Sequence, residues 1–189
     1  MRFRIIVNRW ANFFFFVNNL SGWHFSTITS YNDYWLKQLG GLDTTERRAL
    51  AKLENLQRHW PRKQRELNDF FFSERNPFAA LAKTITAGKQ RALQEVFTAF
   101  KKKFDRLYAA ELPSLRNWQK TLRASLGTKR RNEEIVRSLT VLHGPPCREC
   151  TRPIPLYLLV SAPGGIGGST DIDGWRITAE VSQIPQDKL

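Results

Sequence analysis

The sequence predicts an α+β fold, mainly helical, with a small mixed or antiparallel sheet formed by an N-terminal strand and a C-terminal β-hairpin. The hairpin is indicated by an apolar run at residues 155–161, a glycine-rich link at 164–168 and an alternating segment at 175–182. Residues 43–142 carry apolar side chains at helical spacing instead. Since two strands alone are only marginally stable, we expect the short apolar segment 4–7 to supply a third strand.

The first part of the chain contains a strongly apolar segment, residues 10–20, with four consecutive phenylalanines at 13–16. A continuous apolar run does not reveal its period, so this segment is predicted to be either a helix or a strand. Four adjacent aromatic side chains exceed one face of any element, which predicts a place in the core. Polar residues interrupt the run well short of the roughly twenty apolar residues that a membrane span needs, so no span is expected.

Capping signals place the central helices. Asp43, followed three residues later by Glu46, predicts a capping box, and the helix that it begins is expected to end near His59. Asn76 followed by Pro77 predicts the start of another helix, because a proline in the first turn lacks only an N–H that would be unpaired there.

The clearest helix is predicted over residues 89–111, and Pro113 is expected to begin the next one. In that next helix, Leu115, Trp118, Leu122 and Leu126 are assigned to the core. The inward face of the 89–111 helix is expected to hold Leu93, Val96, Phe97, Phe100, Phe104, Leu107 and Tyr108.

Length and composition limit the domain organisation and the partners. The 189 residues are long enough to bury a core, and 30 Lys and Arg against 17 Asp and Glu give a net charge of +13. Such an excess of cations favours polyanions such as nucleic acid. We predict one folded unit in two parts, residues 1–144 with the N-terminal strand and the helices, and residues 145–189 with the hairpin. Two cysteines are too few for a disulfide scaffold, which favours a cytoplasmic location.

No complete catalytic or ligand-binding signature occurs in the sequence. Cys147 and Cys150 have the spacing of half a zinc site, but only His143 and Glu149 stand near them as further ligands. The glycine-rich link lacks the Gly-Lys-Ser/Thr ending of a phosphate-binding P-loop. We therefore predict no catalytic residue, no bound metal and no cofactor, and the two cysteines receive no role.

Cations cluster between residues 101 and 137. Contacts to phosphate need such cations, so the densest groups are candidates for non-specific nucleic-acid binding. These candidates are Lys101, Lys102, Lys103, Lys129, Arg130 and Arg131. No aromatic RNA-binding signature and no helix-turn-helix spacing indicates sequence-specific recognition.

The last predicted strand is the candidate peptide-binding element, because a strand at a sheet edge has backbone groups free to pair with an extended peptide. Its side chains alternate between two faces. The face expected to be buried holds Trp175, Ile177, Ala179 and Val181. The face expected to be exposed holds Arg176, Thr178, Glu180 and Ser182. The candidate peptide-binding edge comprises Ile177, Thr178, Ala179, Glu180 and Val181.

Five segments follow one another in a suggestive order: residues 2–8, 20–24 and 158–160, the Gly-Gly-x-Gly-Gly link, and residues 177–181. In this order the chain resembles the front part of gluzincin-like zinc metallopeptidases of uncharacterised bacterial proteins. The resemblance implies a mixed sheet ending in an edge strand, here residues 177–181, that holds extended substrate by backbone pairing. In that family the edge strand comes just before a helix with the His-Glu-x-x-His motif.

This sequence contains no His-Glu-x-x-His motif, in which two histidines one helical turn apart bind zinc beside a catalytic carboxylate. The resemblance therefore implies that a metal-binding helix would begin after Leu189, and zinc peptidase activity is expected only of a longer gene product. The leading hypothesis is a non-catalytic or truncated metallopeptidase-like domain that binds an extended peptide or protein segment. The alternative is a basic nucleic-acid-binding module with non-specific phosphate contacts.

Overall fold

The structure is a computed structural model. It describes residues 3–23, 27–61, 65–73, 75–126, 128, 130–131, 133–134, 137, 141, 153–164, 167–171 and 176–185. The chain divides into two compact units, one comprising Met1–Val7 with Leu112–Leu189 and the other Asn8–Glu111.

The fold is α+β, as the sequence predicts, with four described strands in one mixed sheet. In chain order the elements are β1 (Phe3–Ile6), α1 (Arg9–Ser21), α2 (Thr29–Leu39), α3 (Thr44–Arg58), α4 (Leu67–Ser73), α5 (Pro77–Leu81), α6 (Ala87–Leu126), β2 (Ile154–Leu159), β3 (Gly167–Asp171) and β4 (Arg176–Glu180).

The sheet has the strand order β1-β2-β4-β3. β2 lies between β1 and β4 and runs parallel to both, with Leu156 opposite Ile5 on one side and opposite Ile177 on the other. β3 pairs antiparallel with β4. The four residues Leu156–Leu159 are all buried, as expected for a central strand between parallel neighbours that is covered on both faces.

The C-terminal hairpin is formed by β3 and β4, which is a different pair of strands from the one that the sequence predicts. The sequence suggests that residues 155–161 fold back on residues 175–182, but these segments run parallel, and the antiparallel partner of β4 is β3 in the glycine-rich link. At Gly168 a Cβ atom would come within 2.6 Å of the Thr178 carbonyl oxygen, so this glycine permits a close approach of two strands. The glycines at this point therefore belong to a strand and not to the turn that their composition indicates.

The predicted faces of the last strand are reversed where the structure describes them, and Trp175 lies outside the described residues. Arg176, Thr178 and Glu180 are buried, whereas Ile177 and Ala179 are only half-buried. The alternation itself is correct, but period two does not show which face meets the core. Ser182, also predicted to be exposed, is buried as well.

The unit Asn8–Glu111 is called the helical unit below. In it, the phenylalanine-rich segment is a helix. Asn8 caps α1 by accepting a hydrogen bond from the Ala11 N–H at 3.0 Å, and Gly22 ends it in the left-handed conformation at φ 65°. Phe13 stacks on Phe104 with ring centroids 4.2 Å apart, as part of an aromatic core. Capping and packing together decide the ambiguity between helix and strand in favour of the helix.

The central helices begin where the sequence predicts. Asp43 and Glu46 form the capping box in both directions, with two hydrogen bonds of 2.8 Å, and α3 ends at Arg58. Asn76 accepts a hydrogen bond from the Ala79 N–H at 3.1 Å and caps α5. The seven side chains assigned to the inward face of the helix at 89–111 are all buried.

Helix α2 has no counterpart among the predicted elements. A reciprocal amide pair ties it to α1: Asn19 Nδ2 donates to Asn32 Oδ1 at 2.6 Å, and Asn32 Nδ2 donates to the Asn19 carbonyl oxygen at 2.9 Å. Asparagine is an unfavourable helix residue by propensity, so this stabilisation depends on tertiary contact.

Pro113 lies inside α6 and does not begin a new helix. The apolar spacing of three and four residues continues across it, from Phe104 through Tyr108 to Leu115 and Trp118, all buried. The predicted boundary between residues 144 and 145 lies outside the described residues. The division into two units falls within α6, between Glu111 and Leu112. The physical reason is strand pairing, since β1 joins β2 across more than 140 residues of sequence.

We predict that Thr178→Asp destabilises the protein by about 3 kcal/mol or more, because it buries a carboxylate and removes the hydroxyl that bonds to Ser169. Ile177→Asp is expected to cost only about 1–2 kcal/mol, since that side chain is half-buried. Urea denaturation of both variants measures the difference. A larger cost at Ile177 than at Thr178 would contradict the observed orientation of β4.

Candidate functional site

The predicted peptide-binding strand is not an edge. β4 pairs with β2 on one side and β3 on the other, so the backbone groups of Ile177–Glu180 are used within the sheet. The Val181 N–H, just past the strand, donates to the Leu159 carbonyl oxygen at 3.1 Å. The candidate edge at residues 177–181 is therefore wrong in its position, and the two edges are β1 and β3.

The β1 edge is covered by the second half of α6, residues 112–126. The Ile5 carbonyl oxygen accepts hydrogen bonds from Gln119 Nε2 at 3.0 Å and from Arg123 Nη2 at 3.2 Å. Side chains on a helix thus use a backbone acceptor that another strand would need. This is one of the ways in which proteins protect a sheet edge.

The β3 edge is open in the described part of the chain. β3 pairs with β4 alone, and Gly168, Ser169 and Thr170 are exposed. The Ser169 N–H donates to Thr178 Oγ1 at 3.0 Å, so it points toward β4. Since successive residues of a strand direct their N–H and C=O groups to opposite sides, those of Gly168 and Thr170 point outward. Sequence reasoning missed this strand because paired glycines indicate a turn.

A buried serine pair holds the strands next to this edge. The Ser161 N–H donates to Ser182 Oγ at 2.8 Å, and the Gln183 N–H donates to Ser161 Oγ at 2.9 Å. On the other side of β4, the Ser169 and Thr178 hydroxyl groups lie 2.9 Å apart. The open edge is therefore attached to a sheet whose neighbouring strands are fixed by side-chain as well as backbone hydrogen bonds.

One face of the sheet carries a row of buried polar groups. By register, Tyr157 lies beside Thr178, and Arg176 and Glu180 flank Thr178 on the same face of β4. Burial raises the pKa of Tyr157, and the nearby charges of Arg4 and Arg176 oppose that effect. A phenol with a raised pKa stays protonated at neutral pH, so Tyr157 adds no negative charge to this row.

Glu180 is the one acid on that buried row whose titration is shifted into the neutral range. It is 4% exposed, and its Oε2 atom has no hydrogen-bond partner among the described residues. Burial raises the pKa of Glu180 to about 7, while a hydrogen bond from its own backbone N–H acts in the opposite direction. A carboxyl with a pKa near neutrality can take up or release a proton at physiological pH.

The cations at 101–103 do not form a free surface. Lys103 Nζ lies 2.5 Å from Glu46 Oε2 and is largely shielded from solvent, and Lys101 pairs with Asp105 at 2.6 Å. Lys102 is exposed. Two of these three cations are thus neutralised by neighbouring carboxylates.

Arg130 and Arg131 share one carboxylate. Glu134 lies 3.1 Å from Arg130 Nε and 3.2 Å from Arg131 Nη1. Both arginines are exposed, so these ion pairs are weak and screened by salt. Lys129 lies outside the described residues.

The residues considered for a metal site and the helices considered for a membrane span differ in whether the structure describes them. Cys147, Cys150, His143 and Glu149 lie outside the described residues. No group of three or more His, Cys, Asp or Glu that could hold a metal ion occurs in the part of the chain that the structure describes. In that same part, every helix is too short or too polar to cross a membrane.

No protein-family model, no curated protein and no solved structure matches this chain. The resemblance to zinc metallopeptidases therefore remains a hypothesis from the sequence.

We predict that Glu180→Gln changes how stability depends on pH. Below about pH 4.5 the carboxyl is protonated in both the folded and the unfolded chain, so the two proteins should then be about equally stable. Between about pH 4.5 and pH 7, the unfolded wild type has released this proton while the folded protein still holds it. The free energy of unfolding of the wild type therefore falls over this range, by roughly 3 kcal/mol in all at about 1.4 kcal/mol per pH unit. The glutamine variant should be the more stable protein at pH 8.

The measurement is the free energy of unfolding in urea at several values between pH 4.5 and pH 8. Glu66→Gln, which removes a charge at an exposed position, is the matched control and should follow the wild type. Parallel curves for the wild type and Glu180→Gln would show that Glu180 keeps no proton on folding.

Proposed function

We propose that this chain is a non-catalytic binding module that takes up an extended polypeptide segment as a further strand on β3. The observation that carries the proposal is the open edge: β3 pairs with β4 alone among the described residues, while α6 covers β1. Main-chain hydrogen bonds give affinity in such strand addition, and the side chains of the incoming segment adjust specificity.

The composition of β3 supports this proposal. Its first four residues are Gly167, Gly168, Ser169 and Thr170, so no bulky or charged side chain stands between an incoming strand and the backbone. Proteins that protect an edge place charged residues, proline or a bulge there. β3 has no proline, and its one charged residue, Asp171, is the last of the strand. With small side chains along the edge, backbone pairing is the interaction that β3 offers.

The resemblance to metallopeptidases points to the same kind of recognition. In that family an edge strand holds extended substrate by backbone pairing, and the sequence suggested residues 177–181 for this role. The geometry favours β3, the antiparallel neighbour of that strand. Since the sequence has no His-Glu-x-x-His motif, the proposal is for binding without cleavage.

The alternative of nucleic-acid binding through the predicted cations has less support. Lys103 is paired at a shielded position, Lys101 is paired with Asp105, and Arg130 and Arg131 share Glu134. A phosphate would have to replace these carboxylates before it gained a contact.

We predict that Thr170→Pro weakens peptide binding and preserves the fold. The substitution removes an outward N–H, and an edge strand tolerates proline there because the hydrogen bonds to β4 remain. The probe is a fluorescein-labelled peptide of seven residues that alternates Thr and Val, and fluorescence anisotropy measures its affinity. We expect at least a tenfold loss, which corresponds to about 1.4 kcal/mol and is typical of one or two lost backbone hydrogen bonds.

Thr170→Ala is the matched control, since it shortens the same side chain and keeps the N–H, and it should bind as the wild type does. The same peptide N-methylated at every amide should not bind, because neither of its edges then has an N–H to donate. Urea denaturation of Thr170→Pro checks the fold. Equal affinity of the proline variant, or binding of the N-methylated peptide, would contradict pairing on β3.

A further inference from the structure

The second half of α6 is held in one rotational position by hydrogen bonds to the segment that follows β4. Ser114 Oγ donates to the Ser182 carbonyl oxygen at 2.6 Å, and Trp118 Nε1 donates to the Ile184 carbonyl oxygen at 3.2 Å. Leu115 and Trp118 are buried on the same side of this helix. The opposite side is therefore fixed toward solvent.

Three cations lie on that solvent side. Arg116, Lys120 and Arg123 are exposed and are spaced four and three residues apart, which places them within an arc of about 60° and over about 10 Å of helix. The hydrogen bond from Arg123 to the Ile5 carbonyl oxygen uses one of its five N–H donors and orders its side chain.

The charge of this face is uncompensated along the sequence. No Asp or Glu occurs between Leu112 and Asn132, whereas the same stretch contains six Lys and Arg. None of the ion pairs between described residues includes Arg116, Lys120 or Arg123. These three cations differ in this respect from Lys101 and Lys103, which are paired with carboxylates.

We propose that Arg116, Lys120 and Arg123 bind the phosphate backbone of nucleic acid. Duplex DNA carries about one negative charge per 1.7 Å of its axis, so a linear row of cations about 10 Å long meets several phosphates at once. Binding of this kind releases counterions and does not depend on base sequence. In the sequence, the absence of Asp and Glu between residues 112 and 132 indicates this site. The orientation of α6 then shows which cations of that stretch share one exposed face.

An anionic membrane surface is a poorer match for this face. Helices that lie on a membrane insert a free apolar side with residues such as Trp and Leu. Here Leu115 and Trp118 are buried within the fold, and Asn117 and Thr121, which lie between the cations in the sequence, are polar and exposed. The face therefore offers charge and polar contacts without an apolar surface for insertion.

The test uses a fluorescein-labelled 20-base-pair duplex and the full chain, with anisotropy measured from 50 to 200 mM salt. Each lost phosphate contact lowers the salt slope by about 0.9, so Arg116→Gln with Lys120→Gln should flatten the slope by about 1.8. Over this range the affinity of the wild type should then fall about tenfold more than that of the double variant. Arg123 stays unchanged because it also bonds to Ile5.

Two control variants separate a site from net charge. Arg47→Gln with Lys83→Gln removes two exposed cations from the helical unit and should leave the salt slope unchanged. Arg116→Lys with Lys120→Arg keeps both charges and should bind as the wild type does. An equal loss in the Arg47 and Lys83 variant, an unchanged slope in the Arg116 and Lys120 variant, or tighter binding to phosphatidylserine vesicles than to the duplex would overturn the proposal.

Discussion

The parallel pairing of β2 with both β1 and β4 is the constraint on which the rest of the structure depends. Two parallel strands must be joined by a long connection. β2 meets this requirement because its partners β1 and β4 lie near the two ends of the given sequence. All of its side chains from Leu156 to Leu159 are buried, so the strand contributes apolar burial on both faces. The two ends of the chain are thereby joined in one sheet.

This arrangement decides which backbone groups remain available. Because β4 is the second parallel neighbour of β2, it lies inside the sheet, and the antiparallel β3 takes the outer position. The same arrangement turns Thr178 and Glu180 to a buried face, where a carboxyl keeps its proton up to about pH 7. Strand order thus determines both the open edge and the unusual titration of one acid.

The second half of α6 connects the two proposed binding surfaces. Gln119 and one N–H of the exposed Arg123 bond to β1 and leave β3 as the uncovered edge of the described sheet. On its outer side, Arg116 and Lys120 face solvent without carboxylates between residues 112 and 132. A strand added at β3 depends on uncharged backbone pairing, whereas phosphate binding at α6 depends on charge and falls with salt. The two interactions therefore differ in a property that is directly measurable.

The sequence alone determined the features with a local physical cause. The capping box at Asp43 and Glu46, the cap at Asn76 and the apolar stripe from Leu93 to Tyr108 depend on neighbouring residues, and all were predictable. Tertiary structure decided the rest, since strand order and the buried face of β4 depend on pairing partners far away in the sequence. The candidate edge moved from residues 177–181 to β3 for this reason: alternation along a strand is the same at an edge and in the interior, and only the neighbouring strands distinguish them.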